Sequence, residues 1–221
     1  PNQLLREPGD ARALLGVPTV HRRLARAGVR SFCLIEKSIL RSGLSQMLYA
    51  DATATLPFVS ASDMFVRIRK LLETDPEMPT CIWAYWGALD DIQHLYGMRG
   101  EEPAAEVRNL AFSLKTELLD PVRRRKSCAA TLLLVADHGH VQVAKEDVTH
   151  AAKLRTLRDA LVAPPTGTGR SPCLHLREGF VDSTMHYLIR VLKGRSLVMK
   201  SRNALSDGLW GPGKAKAEVP G

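Results

Sequence analysis

Short apolar runs alternate with longer amphipathic stretches along the chain. Residues 81–86 and 129–136 are continuous apolar runs typical of buried strands, and residues 29–35 predict a further short strand. Spaced apolar positions predict helices over residues 19–28, 60–72 and 102–119, with another beginning near Leu89. Strands that alternate with helices of this length imply βαβ crossovers, so we expect an α/β fold: a mostly parallel sheet with helices on both faces.

Residues that cap or break helices mark several of the predicted boundaries. Thr19 is a predicted N-cap, and Gly28 allows the left-handed conformation that ends the same helix. Ser60 or Ser62 is the predicted cap of the next helix. Pro121 is expected to end the long helix that begins near residue 102, because proline lacks a backbone N–H.

The pattern changes after His150, which suggests a second structural part. Residues 1–150 are expected to form the α/β core and residues 151–207 a small α/β appendage of βαβ type. Residues 208–221, rich in glycine and proline, are expected to be irregular. Within the appendage we predict a helix over 153–161, a loop over 164–169, a strand over 173–177, a helix over 181–192 and a strand over 196–199.

Composition and charge narrow the class of protein. Hydrophobic residues make up 45% of the chain and charged residues 24%, which excludes collagen and wholesale disorder. The formal charge of +8 favours anionic partners without selecting one. No apolar run is long enough for a transmembrane helix, and no secretory signal is visible. Four widely spaced cysteines favour buried free thiols in a reducing, cytoplasmic compartment. Pro1 in place of methionine suggests a fragment.

Two acidic-histidine pairs follow the two continuous apolar runs. Asp90 and His94 are four residues apart, which on a helix places a carboxylate and an imidazole on one face. Asp137 and His138 come directly after the run of residues 129–136. Since ligand sites lie beyond the carboxyl ends of parallel strands, we expect the two pairs to lie around one cleft, within about 10 Å of each other. Their mixed oxygen and nitrogen donors suit zinc and, less well, manganese.

Other residues have simpler interpretations. An isolated Asp and His at helical spacing is commonly a solvated pair, so two pairs are needed for the metal interpretation. Asp91 is interpreted as an exposed carboxylate in the first turn of its helix. The basic run at residues 123–126 lacks interleaved aromatic side chains and is interpreted as a solvated bend without specific nucleic-acid binding. Five histidines are interpreted as structural or surface residues: His21, His140, His150, His175 and His186.

These motifs resemble the alkaline phosphatase superfamily, in its type I phosphodiesterase and nucleotide pyrophosphatase branch. Tyr85 and residues 90–97 are similar to the family's aspartate, three residues, histidine and following glycine, and residues 136–139 to its Asp-His-Gly strand exit. The resemblance implies an alkaline phosphatase-like fold and two divalent ions, with Asp90 and His94 on one and Asp137 and His138 on the other. It implies a metal-dependent hydrolase of small phosphate esters.

The resemblance covers only the middle of a family member. The family's Thr or Ser nucleophile and a late histidine ligand have no match in the sequence, so we expect the chain alone to be inactive, with no catalytic residue assigned. Two other interpretations stay open: a basic interaction module that keeps the fold without catalysis, and a metal-dependent phosphomutase. The substrate and the oligomeric state are not indicated.

Overall fold

The computed structural model describes residues 15–125 and 129–211. These residues divide into two compact units, the first ending at Gln142 and the second beginning at Val143. In the first unit, helices and strands alternate as the sequence predicts. They are α1 Val20–Arg26, β1 Arg30–Glu36, α2 Gly43–Leu48, β2 Ala54–Phe58, α3 Ala61–Thr74, β3 Thr80–Ala84, α4 Ala88–Tyr96, α5 Glu101–Ser113, a π-helical segment Leu114–Leu119 and α6 Asp120–Arg123. The prediction did not include α2 and β2.

The three strands form a parallel sheet in the order β2-β1-β3. The predicted α/β class and parallel sheet are therefore confirmed for the described residues. However, β3 is an outer strand, and the Trp83 side chain on it is 48% exposed. The prediction of a buried strand over residues 81–86 was wrong in this respect, because among the described residues β3 has a neighbouring strand on one side only.

The predicted helix caps are present. The Thr19 hydroxyl accepts a hydrogen bond of 3.1 Å from the Arg22 amide at the start of α1. Gly28, which follows that helix, has φ +74°, a value that favours glycine. Ser60 rather than Ser62 caps α3, where its hydroxyl accepts from the Asp63 amide. Local sequence chemistry thus sets the first turns of both helices.

One face of the sheet holds the main hydrophobic core. Leu34 at the centre of β1 is fully buried and packs with residues of β2, α3 and the π-helical segment. Its buried companions are Phe58, Ala61, Met64, Phe65, Ile68 and Leu118. On the opposite face, the Cys33 thiol lies 3.4 Å from His21 Nε2 of α1. Because successive strand residues point to opposite faces, helices cover β1 on both sides.

The long helical run does not end at Pro121. It continues to Arg123, although proline at this position cannot donate a backbone bond to the Glu117 carbonyl. Arg69 Nε from α3 donates to that carbonyl instead, at 3.1 Å. The wider π-helical turn ends at Leu119, two residues before the proline. The predicted stop was therefore wrong: the helical run continues past the proline, and Arg69 of another helix donates to the Glu117 carbonyl just before it.

The predicted strand over residues 129–136 is also absent. This segment has no regular secondary structure, and Leu133, Leu134 and Val135 are 80%, 77% and 82% exposed. A strand forms only where a neighbour bonds its N–H and C=O groups, and no described strand pairs with this segment. A continuous apolar sequence was not sufficient to add a fourth strand to the described sheet.

The second unit contains a hairpin rather than the predicted βαβ motif. After α7 Arg155–Ala160, β4 Leu161–Thr168 pairs antiparallel with β5 Ser171–Leu176, and helices α8 Val181–Leu192 and α9 Ser201–Ser206 follow. The predicted loop over 164–169 is mostly strand, and within it Gly167, at φ +88°, has no side chain to block the close approach of the Ser171 carbonyl. The predicted strand over 196–199 is not formed, whereas α8 has the predicted bounds.

The described helices are all too short or too polar to cross a membrane, which agrees with the absence of a long apolar run in the sequence. Three of the four cysteines lie in the described part and are free: Cys33 is buried, Cys81 partly buried and Cys173 exposed. The expectation of free thiols is confirmed for these three, but burial holds only for Cys33 in full. Cys128 and residues 212–221 of the predicted irregular tail lie outside the described residues.

Candidate metal centre

The first acidic-histidine pair lies on α4, the helix that follows β3. Asp90 is in its first turn and His94 in its last, four residues apart. Their side chains face each other, with His94 Nε2 3.6 Å from Asp90 Oδ2. The helical spacing in the sequence therefore produces the predicted carboxylate and imidazole on one helix face.

The second pair comes to the same place from a segment without regular structure. His138 Nε2 lies 3.6 Å from Asp137 Oδ2 and 4.0 Å from Asp90 Oδ1. The backbone N–H of His138 donates to Asp137 Oδ1 at 3.0 Å. The predicted proximity of the two pairs is confirmed. The segment that carries the second pair differs from the prediction, because Asp137 does not follow a strand.

A fifth side chain, His140, joins the two pairs. Its Nε2 lies 2.8 Å from Asp90 Oδ1, which is closer than either His94 or His138 comes to the Asp90 carboxylate. Its ring centroid is 5.1 Å from that of His94 and 5.3 Å from that of His138. The interpretation of His140 as structural or surface missed this position. We refer below to Asp90, His94, Asp137, His138 and His140 as the Asp-His cluster.

Gln142 holds the segment that carries the histidines against the end of α4. Its side-chain Oε1 accepts a hydrogen bond from the Met98 amide at 3.3 Å. The same oxygen is 3.0 Å from the point where a Cβ on Gly97 would lie, and Gly97 has φ +84°. The absence of a side chain at Gly97 thus permits the close approach of Gln142.

Tyr85 borders the cluster on the strand side. Burial raises the pKa of its phenol, and the nearby carboxylates of Asp137, Asp90, Asp91 and Glu36 raise it further. Its ring also lies over Gly87, 3.4 Å from the point where a Cβ would stand. A phenol that keeps its proton is a hydrogen-bond donor, so Tyr85 offers an O–H to an anionic group at this edge of the sheet.

A cavity of about 430 Å³ opens beyond the carboxyl ends of β1 and β2. Its lining contains both charged and apolar side chains: Glu36, Lys37, Ser38, Phe58 and Val59. The carboxyl edge of a parallel sheet is the usual location of ligand sites in this class of fold. Lys37 supplies a positive charge there, while Ser38 donates its hydroxyl hydrogen to Glu36.

The side chains of the cluster differ in their exposure to solvent. Asp137 and His94 are 72% and 69% exposed, Asp90 is 38% exposed and His140 only 16%. The neighbouring Asp91 is exposed in the first turn of α4, as expected. Two carboxylates and three imidazoles supply oxygen and nitrogen donors of the kind that zinc accepts, with manganese as a weaker match.

Protein families, curated proteins and solved structures were compared with this chain, and none of the three comparisons found a match.

Proposed function

We propose that the protein is a metal-dependent hydrolase of phosphate esters, of the phosphodiesterase and nucleotide pyrophosphatase type, that uses two divalent ions. The proposal rests on the resemblance of residues 90–97 and 136–139 to that branch of the alkaline phosphatase superfamily. It extends to an alkaline phosphatase-like fold, of which the parallel sheet described here would be a part.

The observation that supports the proposal most strongly is the position of the Asp90 carboxylate. One of its oxygens is 3.6 Å from His94 Nε2, and the other is 4.0 Å from His138 Nε2. His138 therefore lies beside the Asp90 carboxylate, although the two residues are 48 positions apart along the chain. A solvated ion pair within one helix does not require this convergence, whereas a binuclear centre does.

The donor set indicates how the ions would be held. Asp90 and His94 would bind one ion and Asp137 and His138 the other, as the resemblance implies. Ions of this kind polarise phosphoryl oxygens and neutralise charge that develops on them. The chain's own contribution is to orient an anionic ester, through the protonated Tyr85 phenol and the Lys37 ammonium at the carboxyl edge of the sheet.

The test is hydrolysis of a nitrophenyl phosphodiester by the natural protein that contains these residues, supplied with zinc or manganese. We expect turnover that a chelator abolishes, and a kcat at least about 100-fold lower in His94→Ala, because outer partners of metal ligands alone account for 10–100-fold effects. His150→Ala is the matched control, since His150 is an exposed histidine outside the cluster.

Two results would overturn the proposal. Unchanged turnover in His94→Ala would remove the cluster from the reaction. Absence of metal binding and of hydrolysis, together with tight and salt-sensitive binding to a polyanion, would favour the basic interaction module instead, in line with the formal charge of +8.

A further inference from the structure

We propose that His140 is a metal ligand, and that Asp90, His94 and His140 form a three-ligand centre that binds one zinc ion before any other site in the chain is filled. The inference rests on the metal chemistry of the proposed function but assigns the ligands differently. It adds a histidine that the resemblance does not include, and it makes the first ion independent of Asp137 and His138.

The distances within the group fit a single ion. One ligand atom from each of Asp90, His94 and His140 lies within 4.8 Å of the other two. Zinc bonds of about 2.0–2.1 Å at tetrahedral angles place two donor atoms about 3.3 Å apart. His94 Nε2 lies 3.6 Å from Asp90 Oδ2, and His140 Nε2 lies 2.8 Å from Asp90 Oδ1, so the two separations fall on either side of that value.

The composition of the group also fits a reactive centre. Two histidines and one carboxylate are the protein ligands of several catalytic zinc sites, which leave a fourth position for water or substrate. The exposed faces of His94 and Asp90 leave this side of the group open to solvent. A structural zinc site would instead be closed by four protein ligands.

The burial of His140 distinguishes it from the other imidazoles. Its side chain is 16% exposed, whereas those of His94 and His138 are 69% and 56% exposed. A ring held among other groups loses less rotamer freedom on binding an ion than an exposed ring does. His140 is therefore better prepared for coordination than His138, which is 4.0 Å from Asp90 Oδ1.

A different role for His140 has to be separated from this one. At 2.8 Å from Asp90 Oδ1, the imidazole is also within hydrogen-bond distance, and it would then orient Asp90 as a ligand without touching the ion. The two roles make opposite demands on a replacement side chain. A ligand must offer a lone pair to the ion, whereas an orienting residue must donate a hydrogen to Asp90.

Glutamine and glutamate at position 140 meet one demand each. The amide nitrogen of His140→Gln reaches about as far as histidine Nε2 and donates a hydrogen bond, but an amide is a poor zinc ligand. The carboxylate of His140→Glu has the same length and binds zinc, but it cannot donate to Asp90. Calorimetric titration of the metal-free chain with zinc measures affinity and stoichiometry for both variants, with His150→Ala as control.

We expect one high-affinity zinc ion per chain, at least about 100-fold weaker binding in His140→Gln, and binding within about 10-fold of the original in His140→Glu. His138→Ala should keep the high-affinity ion. Titration with Co(II) adds a readout of geometry, because the strong visible absorption of a tetrahedral site should weaken in His140→Gln and persist in His138→Ala. Circular dichroism checks that each variant is folded.

The outcomes separate this inference from the proposed function. Near-original affinity in His140→Gln with a large loss in His140→Glu would make His140 an orienting residue and overturn the inference, while the hydrolase proposal would stand. Loss of the high-affinity ion in His138→Ala would also overturn it. A high-affinity ion that depends on His140 in a protein without phosphodiesterase activity would support the inference and contradict the proposed function.

Discussion

Gln142 accepts a hydrogen bond from the backbone amide of Met98, and this contact joins the histidine-bearing segment to the second residue after the end of α4. Asp90 and His94 are on that helix, and His138 and His140 are within four residues of Gln142 along the chain. The contact therefore fixes the distance between the two halves of the Asp-His cluster. It also makes the cluster dependent on the small size of Gly97.

Replacing Gly97 with alanine should disturb the cluster. Its φ of +84° is unfavourable for alanine, and the new Cβ would lie 3.0 Å from Gln142 Oε1. We expect a loss of about 1–3 kcal/mol in the free energy of unfolding from the backbone alone, because ψ is 177° and only glycine commonly adopts this combination of angles. Zinc binding should weaken in addition. Urea unfolding and zinc titration measure the two effects.

Gly28→Ala is the control, because Gly28 has φ +74° but no atom within 4 Å of the added Cβ. It should lose unfolding free energy through its positive φ alone and keep its zinc affinity. Equal zinc affinity in the two alanine variants would show that Gln142 does not hold the cluster together.

The stability of the first unit should fall in mild acid because of His21. Burial lowers the pKa of this imidazole from 6.5, against the smaller raising effect of Asp51. As the pH falls below about 6.5, the unfolded chain therefore binds a proton before the folded chain does, and protonation favours unfolding. The contribution of neutral His21 is complete above that pH and decreases below it.

The variant His21→Gln removes this titration. The difference in unfolding free energy between the original chain and the variant should be larger at pH 7.5 than at pH 5, as measured by urea unfolding at both values. A difference that is the same at both pH values would mean that folding does not lower the pKa of His21.

The described cysteines should differ in their reaction with iodoacetamide. Cys33 is fully buried, and its burial raises the pKa of the thiol to about 12, with a smaller effect from Cys81. At pH 8 only about one Cys33 thiol in ten thousand is then the reactive thiolate. Cys173 is exposed on β5. Mass spectrometry should find alkylated Cys173 in the folded protein and alkylated Cys33 only after unfolding; early labelling of Cys33 would contradict its position beneath α1.

Two leucines offer a comparison of the core with the segment that does not form a strand. Leu34 is fully buried, so Leu34→Ala should lower the unfolding free energy by about 3 kcal/mol. Leu133 is 80% exposed, so Leu133→Ala should change it by less than about 0.5 kcal/mol. Urea unfolding gives both values. A large loss in Leu133→Ala would mean that residues 129–136 are buried in solution.

Local chemistry explains why parts of the fold were predictable. Thr19 and Ser60 cap their helices through hydrogen bonds within four residues, so the sequence alone identifies them. β2 was missed because it is short and contains Pro57, which an outer strand tolerates where a central one does not. The end of the long helix was misjudged because the partner of the Glu117 carbonyl is Arg69, 48 residues away along the chain.

The same distinction applies to the candidate site. The spacing of Asp90 and His94 on a helix is legible in the sequence, and so is the proximity of Asp137 and His138 to each other. The position of His140 depends on its contact with Asp90, which is 50 residues away along the chain, and a periodic pattern in the sequence does not predict such a contact. The sequence nevertheless contained an indication, since His140 is two residues after His138, in a segment that already held two predicted metal ligands.

Arg69 and Pro121 both lie close to the Glu117 carbonyl, to which Arg69 donates and to which Pro121, lacking an N–H, cannot. Arg69 donates to the Glu117 carbonyl and also pairs with Glu73, which in turn pairs with Arg125 beyond the end of α6. An N–H restored by Pro121→Ala would compete with the guanidinium for that carbonyl. The loss of stability from an Arg69 substitution should then be smaller in the Pro121→Ala background than in the original chain. The Glu117 carbonyl thus bonds to a side chain of α3, so the helical segment around Pro121 depends on a neighbouring helix as well as on its own backbone bonds.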